Sequence, residues 1–413
     1  MKYIISPPQK PVQDTIYLPS SKSISNRMLI INALEGGRAV LKHLSVSDDT
    51  RLLQKALTES GGVKDVGHAG TAMRFLTAYY ATRPGEIILT GSERMKQRPM
   101  GPLIHALRQL GATIDCMEQE GYPPLKITGG HAKGGKISIE GGMSSQFISA
   151  LMMVAPALEG GLTLTLTGRV VSESYILMTL ALMKMAGVEA TYDGQQVRIP
   201  EQHYVLKEFT VESDWSAASY WYQVAALLPG TRLFLPHLVE ESLQGDACLM
   251  DIFGSLGVST STEREGVSLY SRPATSAGRL ELDFIGAPDL VQTCVATCCG
   301  RGIPFMFTGT STLLVKETDR IAALKTEMGK LGFILESGQD GGFISWDGTR
   351  RNRVSDPVIQ TYHDHRMAMA LAPMAIPLGP IAVEDPEVVT KSYPDYWKDL
   401  KKVGFRIKKA SQD

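Results

Sequence analysis

The stretch Ser21-Lys22-Ser23-Ile24-Ser25-Asn26-Arg27 places three hydroxyls, an amide and two cations just before an apolar run at 28–31, with Gly36-Gly37 a few turns later. That pattern is a helix start followed by a stop signal. Helix N-termini present unpaired N–H groups and the positive end of a dipole, so they suit anions. Lys22 and Arg27 add charge for a phosphate or a carboxylate. An ordinary Ser cap with two solvated cations reads the same way. Six more motifs share this character: Gly70-Thr71-Ala72-Met73-Arg74, Arg94-Met95-Lys96-Gln97-Arg98-Pro99, Ser144-Ser145-Gln146, Lys316-Glu317-Thr318-Asp319-Arg320, Asp364-His365-Arg366 and Lys391-Ser392-Tyr393-Pro394-Asp395. Taken singly, each is also a turn, a cap or a solvated charge run.

Eight cations stand out among them: Lys22, Arg27, Arg74, Arg98, Lys316, Arg320, Arg366 and Lys391. Two like charges ~4 Å apart repel by roughly 4 kcal/mol at an effective dielectric of 20. Crowding them is tolerable when anions arrive to neutralise them, which points to substrates carrying several phosphates or carboxylates. Arg meets such groups bidentately, and Lys acts as a point charge or proton carrier. Acid–base candidates are fewer. Asp289 stands at a helix start, and Glu317 sits between Lys316 and the Thr318-Asp319-Arg320 helix start. Nearby cations would keep both ionised, ready to accept a proton; their plain readings are a cap and a surface ion pair. His363-Asp364-His365 invites a metal, but no third or fourth ligand follows at a recognisable spacing, so we expect none. There is no GxxxxGK[ST], no GxGxxG after a strand and no Gly-x-Ser-x-Gly elbow, so nucleotide binding and serine hydrolysis have no support.

The elements that must position these residues repeat. A polar start, an apolar helix and a glycine stop recur at 23–34, 69–80, 144–158, 213–228, 288–299 and 364–376. These helices are apolar on nearly every side, which predicts burial inside a domain. Amphipathic helices ending at glycine alternate with them at 49–60, 103–110, 176–186, 249–256, 321–331 and 396–403. Strand-like runs fall at 87–89, 136–140, 162–167, 232–235, 280–284, 305–308 and 343–346. The unit is two helices with several strands, recurring roughly every 70 residues after a compressed first copy. Six such units exceed one domain, so two domains of three units each are expected. The polar starts of three buried helices would then converge on one face of each domain.

Composition sets the bounds. A chain of 413 residues with 43% apolar and 21% charged residues has the make-up of a soluble globular protein. Its net charge of −1 gives no global pull toward nucleic acid or membrane. Five scattered cysteines without a CxxC pair predict reduced thiols, and the apolar run at the N-terminus is too short for us to expect a secretion signal. No stretch approaches the ~18 apolar residues of a membrane span. We expect a cytoplasmic monomer acting on small molecules.

At this point the motifs resemble a known family. Ser-Lys-Ser-x-Ser-Asn-Arg, Ala-Gly-Thr-Ala-Met-Arg, Arg-Met-Lys-x-Arg-Pro, Ser-Ser-Gln-Phe, Val-Lys-Glu-Thr-Asp-Arg and Asp-His-Arg-Met-Ala-Met occur here in the order they take in EPSP synthases, the 3-phosphoshikimate 1-carboxyvinyltransferases. The resemblance implies transfer of the enolpyruvyl group of phosphoenolpyruvate to the 5-hydroxyl of shikimate 3-phosphate, on the way to chorismate and the aromatic amino acids, with no metal or organic cofactor. It implies an α/β (α+β) fold: a two-domain inside-out α/β barrel, each domain three copies of a βαβαββ unit around buried parallel helices, closing like a clamp. The domains would be 1–14 plus 214–413 and 15–213, hinged at crossovers near 15–20 and 211–214. By the same resemblance Lys22 touches both substrates. Ser23, Arg27, Ser144, Ser145, Gln146, Ser172, Tyr175, Asp289 and Lys316 meet shikimate 3-phosphate. Gly70, Arg74, Arg98, Gln146, Arg320, Arg366 and Lys391 meet phosphoenolpyruvate. Asp289 takes the 5-hydroxyl proton, while Glu317 and Lys22 handle protonation at the methylene carbon.

Three positions depart from the family pattern. His68 replaces an Asn, Phe75 a Pro and Thr312 an Asn; they put the phosphoenolpyruvate pocket and one shikimate 3-phosphate contact in doubt. The segment between Asp49 and His68 is also short. Two alternatives remain. The sister enzyme acting on UDP-N-acetylglucosamine would need Lys-Asn in place of Ser-Lys-Ser and a Cys near 94–99. A non-catalytic binder of phosphorylated metabolites would keep the arginines but need neither Asp289 nor Glu317.

Overall fold

The computed structural model describes residues 1–273 and 278–410. The six apolar runs form the helices Lys22–Glu35, Gly70–Ala81, Ser145–Val154, Trp215–Leu227, Val291–Arg301 and His365–Leu371. Four of them start where a side chain accepts a backbone N–H: Ser21 from Ile24, Ser144 from Gln146, Asp214 from Ala217 and Asp364 from Arg366. Such a cap satisfies a donor that the first helical turn leaves without a partner, worth about 1 kcal/mol. The helices Gly70–Ala81 and Val291–Arg301 have no side-chain cap. Burial runs around all sides; in Trp215–Leu227 every residue but Ser216 and Leu227 is buried. The Gly36 stop holds φ 105°, a left-handed value that glycine tolerates without a Cβ clash.

The strands assemble, among the described residues, into five four-stranded sheets and one two-stranded sheet. Each four-stranded sheet has one order. The first strand runs parallel to the second, the second antiparallel to the fourth, and the fourth antiparallel to the third, as in Val63–Asp65, Gly85–Thr90, Leu125–Gly129 and Thr113–Cys116. In the last copy the closing strand is the N-terminal Lys2–Ser6, set between Ile381–Glu384 and Arg406–Ala410. The compressed first copy is reduced to a parallel pair, Val40–Lys42 with Glu208–Thr210.

The chain divides into two compact units, Met1–Pro19 with Glu212–Asp413, and Ser20–Val211. Residues 15–19 and 212–213 therefore belong with the termini and not, as expected, with the inserted segment. Hydrogen bonds explain this: the Ile16 N–H donates to Phe234 O at 2.9 Å, Asp214 N–H to Pro19 O at 2.9 Å and Ser213 N–H to His237 O at 3.1 Å, whereas the Val211 N–H donates to Lys42 O in the other unit. Within each unit the three buried helices touch one another, and amphipathic helices and sheets surround them. Each unit is an inside-out α/β barrel. Among the described residues no helix is long and apolar enough to cross a membrane.

Candidate active site

In the unit 20–211, Arg27 rises from the second turn of the helix Lys22–Glu35 into a buried setting, 2% exposed. Its Nε donates to Thr179 Oγ1 at 2.8 Å, Nη2 to Ser149 Oγ at 3.0 Å and Nη1 to Ser23 O at 3.0 Å. The guanidinium carbon lies 5.4 Å from the Phe75 ring centre and 5.7 Å from that of Tyr175. Among the described residues no carboxylate pairs with it. Burial lowers its pKa to about 10, opposed weakly by Tyr175, so it remains a cation at neutral pH. Cation–π contact offsets about 2 kcal/mol of the cost of burying that charge. Three of its five N–H groups are used in these bonds. Lys22 is paired here with Asp49, Nζ to Oδ2 at 3.3 Å.

At the start of the helix Gly70–Ala81, the Nη1 atoms of Arg74 and Arg98 crowd Gly70: a Cβ there would lie 2.6 and 2.5 Å from them. Arg74 Nη1 donates to Gly70 O at 2.8 Å, and its guanidinium stands 5.3 Å from the Phe147 ring centre. Two guanidiniums beside a helix start without a side-chain cap make a setting that suits an anion, because the unpaired N–H groups and the helix dipole add to their charge. Gln146 Nε2 donates to Thr71 Oγ1 at 3.1 Å, tying this helix start to the one at Ser145. The Val171 N–H donates to Gly141 O at 3.0 Å, which draws the Ser172 turn against the loop leading to Ser144 and Ser145. Ser172 is buried in the left-handed region at φ 54°, a conformation that costs a non-glycine residue energy and persists where the surroundings enforce it.

In the unit carrying the termini, ion pairs join residues that the sequence separates widely. Asp289, in the short 3-10 turn Pro288–Leu290 before Val291–Arg301, accepts from Arg320 Nη1 at 3.0 Å and from Arg366 Nη2 at 2.8 Å. Glu317 accepts from Arg320 Nη2 at 2.9 Å and from Lys391 Nζ at 2.6 Å. Asp364 is fully buried and accepts from Arg320 Nε at 2.7 Å and the Arg366 N–H at 2.9 Å. The expectation that the crowded cations wait for incoming anions is corrected here. Against Lys316, Arg320, Arg366 and Lys391 stand the carboxylates of Asp289, Glu317 and Asp364, which neutralise most of the charge.

Protonation follows from this packing. Burial alone would push the Asp289 carboxyl up, but the combined pull of Arg366, Lys316 and Arg320 takes it well below the usual carboxylate range. Lys316 goes the other way: burial depresses its ammonium, with Asp289 resisting. Burial also works against the Arg320 cation, but Asp364, Glu317 and Asp289 hold it firmly protonated.

A further carboxyl had no signal in the sequence. Asp246 is buried and accepts from Ser216 Oγ, which also lies 3.4 Å from Arg366 Nη2. Burial and the Asp289 charge push it up to about 7, against Arg366 and the Ser216 hydrogen bond. Its folded pKa thus lies above its unfolded value of ~3.9, so the folded state binds more protons between about pH 4 and pH 7 and stability falls as pH rises through that window. Asp246→Asn should remove this slope. The difference in Tm, variant minus wild type, should grow from pH 4 to pH 7 in scanning calorimetry; a constant difference would mean that Asp246 titrates normally.

The structure brings Asp289, Glu317, Arg320, Arg366 and Lys391 into one hydrogen-bonded cluster, and Gly70, Arg74 and Arg98 into another. Asp364 was legible as a helix start but not as the partner of Arg320, 44 residues away. His363 and His365 do not share a side, since one imidazole is exposed and the other buried. Of the departures, Phe75 packs under Arg27, His68 is exposed, and Thr312 Oγ1 is shielded without a hydrogen-bond partner among the described residues.

Known proteins share this sequence and this fold. The sequence profile described as EPSP synthase (3-phosphoshikimate 1-carboxyvinyltransferase) matches residues 54–400. A 3-phosphoshikimate 1-carboxyvinyltransferase of Bacteroides fragilis (strain YCH46) is 52% identical over 409 residues, covering 99% of each chain. One from Vibrio atlanticus is 36% identical over 430 residues, covering 97% of this chain and 99% of its own. The structure of an EPSP synthase from Acinetobacter baumannii superposes with a TM-score of 0.76 at 19% identity, over 99% of this chain and all of the other, which shows the shared fold. With most of its length matched by the profile and nearly all of it aligned to relatives above 30% identity, the chain belongs to the EPSP synthase (3-phosphoshikimate 1-carboxyvinyltransferase) family.

Proposed function

We propose that this chain transfers the enolpyruvyl group of phosphoenolpyruvate to the 5-hydroxyl of shikimate 3-phosphate, giving 5-enolpyruvylshikimate 3-phosphate and inorganic phosphate. The observation that carries this reading is the Asp289 carboxylate held between Arg320 and Arg366, a general base set among the cations that receive an anionic substrate. Asp289 takes the 5-hydroxyl proton as that oxygen attacks C2 of phosphoenolpyruvate, and the Lys22 ammonium, or Glu317 once it has taken up a proton, delivers a proton to the methylene carbon. From the tetrahedral adduct phosphate leaves as the new methyl group gives its proton back. Arg320, Arg366, Lys391, Lys22, Arg74 and Arg98 stabilise the charge on phosphoenolpyruvate and the departing phosphate, with Gly70 and Gln146 completing its contacts. Shikimate 3-phosphate falls to Arg27, Lys22, Ser23, Gln146, Tyr175 and Lys316, and its phosphate to Ser144, Ser145 and Ser172. In this structure Arg366 and Arg320 hold Asp289 a weak base. Once those cations turn to the substrate's anionic groups, that hold relaxes and the base strengthens.

Phosphate release from phosphoenolpyruvate and shikimate 3-phosphate tests the reading. Release that needs both substrates is expected. Binding of both without release would leave a phosphometabolite binder, and release with UDP-N-acetylglucosamine instead would indicate the sister activity. Gly70 offers a second test. A methyl group there meets both guanidiniums, so Gly70→Ala should raise the KM for phosphoenolpyruvate about tenfold or more, the cost of misplacing one charge-assisted contact. The KM for shikimate 3-phosphate should stay near wild type in steady-state kinetics.

A further inference from the structure

Glu327 lies in the helix Arg320–Lys330, seven residues after Arg320 and so on the same face two turns on. Its side chain is fully buried. The carboxylate takes hydrogen bonds from three donors: Lys330 Nζ at 2.7 and 2.9 Å, the Gln360 N–H at 3.1 Å and the Tyr362 hydroxyl at 2.6 Å. Lys330 Nζ also donates to Val358 O at 3.1 Å. All of these ties beyond the helix itself reach residues 358–362, the segment that leads into Asp364-His365-Arg366.

That segment is strained at one place. Tyr362 and His363 are consecutive non-glycine residues in the left-handed region, at φ 53° and 55°. Side chains other than glycine's adopt it rarely and hold it when the surroundings constrain them. Immediately after the strained pair comes Asp364, whose carboxylate holds Arg320 Nε and the Arg366 N–H. One helix face therefore grips the same turn twice, through Glu327 at Gln360 and Tyr362 and through Arg320 just after the strained pair.

We propose that Glu327 is a positioning residue for anion binding: it holds the Tyr362-His363 turn left-handed, and so sets where Asp364 places Arg320 and Arg366. The inference rests on the reading that these two arginines bind phosphoenolpyruvate. Neither Glu327 nor Tyr362 belongs to the set assigned to substrate, so their effect must pass through the turn.

The experiment compares Glu327→Gln, Tyr362→Phe, Arg366→Lys and the double variant Glu327→Gln/His363→Gly by steady-state kinetics and thermal unfolding. Glu327→Gln should raise the KM for phosphoenolpyruvate about tenfold, and Tyr362→Phe, which loses only a hydroxyl, threefold to tenfold. The KM for shikimate 3-phosphate should stay within twofold in both. Glycine at 363 takes the left-handed conformation unaided, and the His363 side chain is exposed, so the double variant should recover most of the lost phosphoenolpyruvate affinity. A lower Tm with the phosphoenolpyruvate KM unmoved in Glu327→Gln and Tyr362→Phe, while Arg366→Lys raises it, would overturn the positioning role. So would a raised KM that glycine at 363 does not rescue. If Glu327→Gln does not fold, Tyr362→Phe decides alone. If Arg366→Lys itself leaves that KM unchanged, the assignment of the arginines fails instead.

Discussion

Asp289→Asn should lower turnover by a factor of about 10²–10⁴, the range over which a positioned general base contributes, while both substrates still bind. The amide keeps the volume of the carboxyl and one hydrogen-bond acceptor for Arg320 or Arg366, but it cannot take the 5-hydroxyl proton. Because Asp289 is ionised across the neutral range in the free chain, kcat/KM should not fall on the acid side through this group until well below the usual carboxylate range. Calorimetric binding of each substrate, alongside kcat from phosphate release, separates the two effects. Wild-type turnover in the variant would remove Asp289 from the role of base.

Arg320→Met should be the most damaging substitution for stability. Arg320 is 2% exposed, and its guanidinium bonds three carboxylates at once, of which Asp364 is fully buried. Removing one partner of a buried pair leaves an uncompensated charge, at a cost of about 3–5 kcal/mol. At about 2–4 °C per kcal/mol for a unit of this size, the Tm should fall by on the order of 10 °C. Arg320→Met/Asp364→Asn removes the stranded charge as well and should recover part of that Tm without recovering activity, since no guanidinium returns to the site. If the double variant were as unstable as the single one, the penalty would lie in packing and not in the charge on Asp364.

How much of this was legible beforehand follows from the range of each signal. The strand-like runs at 162–167, 305–308 and 343–346 form strands with those bounds, and four of the six buried helices begin at hydroxyl and carboxylate caps, because both signals act within a few residues of chain. The two-stranded first sheet was not readable. Val40–Lys42 finds its partner in Glu208–Thr210, 168 residues away, and each is only three residues long. Residues 15–19 went to the wrong unit for a similar reason: the ladder to Phe234 that claims them is made by chain more than 200 residues later.

The site divides in the same way. Residue types in local motifs marked Lys22, Arg27, Arg74, Arg98, Asp289, Glu317, Arg320, Arg366 and Lys391, because anion and proton chemistry demands cations and carboxylates, and the family resemblance added Gly70. Which carboxylate meets which cation was decided by tertiary structure. Any Asp can pair with any Arg, and the bonds from Arg320 to Asp364 and from Arg366 to Asp289 span 44 and 77 residues. Asp246 carried no local mark, because its raised pKa is a product of burial and of the charge on Asp289. Glu327 read as one more polar residue on an amphipathic helix until folding placed the Tyr362 hydroxyl against it. Sequence chose the chemistry, since chemistry belongs to side-chain types; the fold chose the partners and with them the charge states, since those depend on distance and burial.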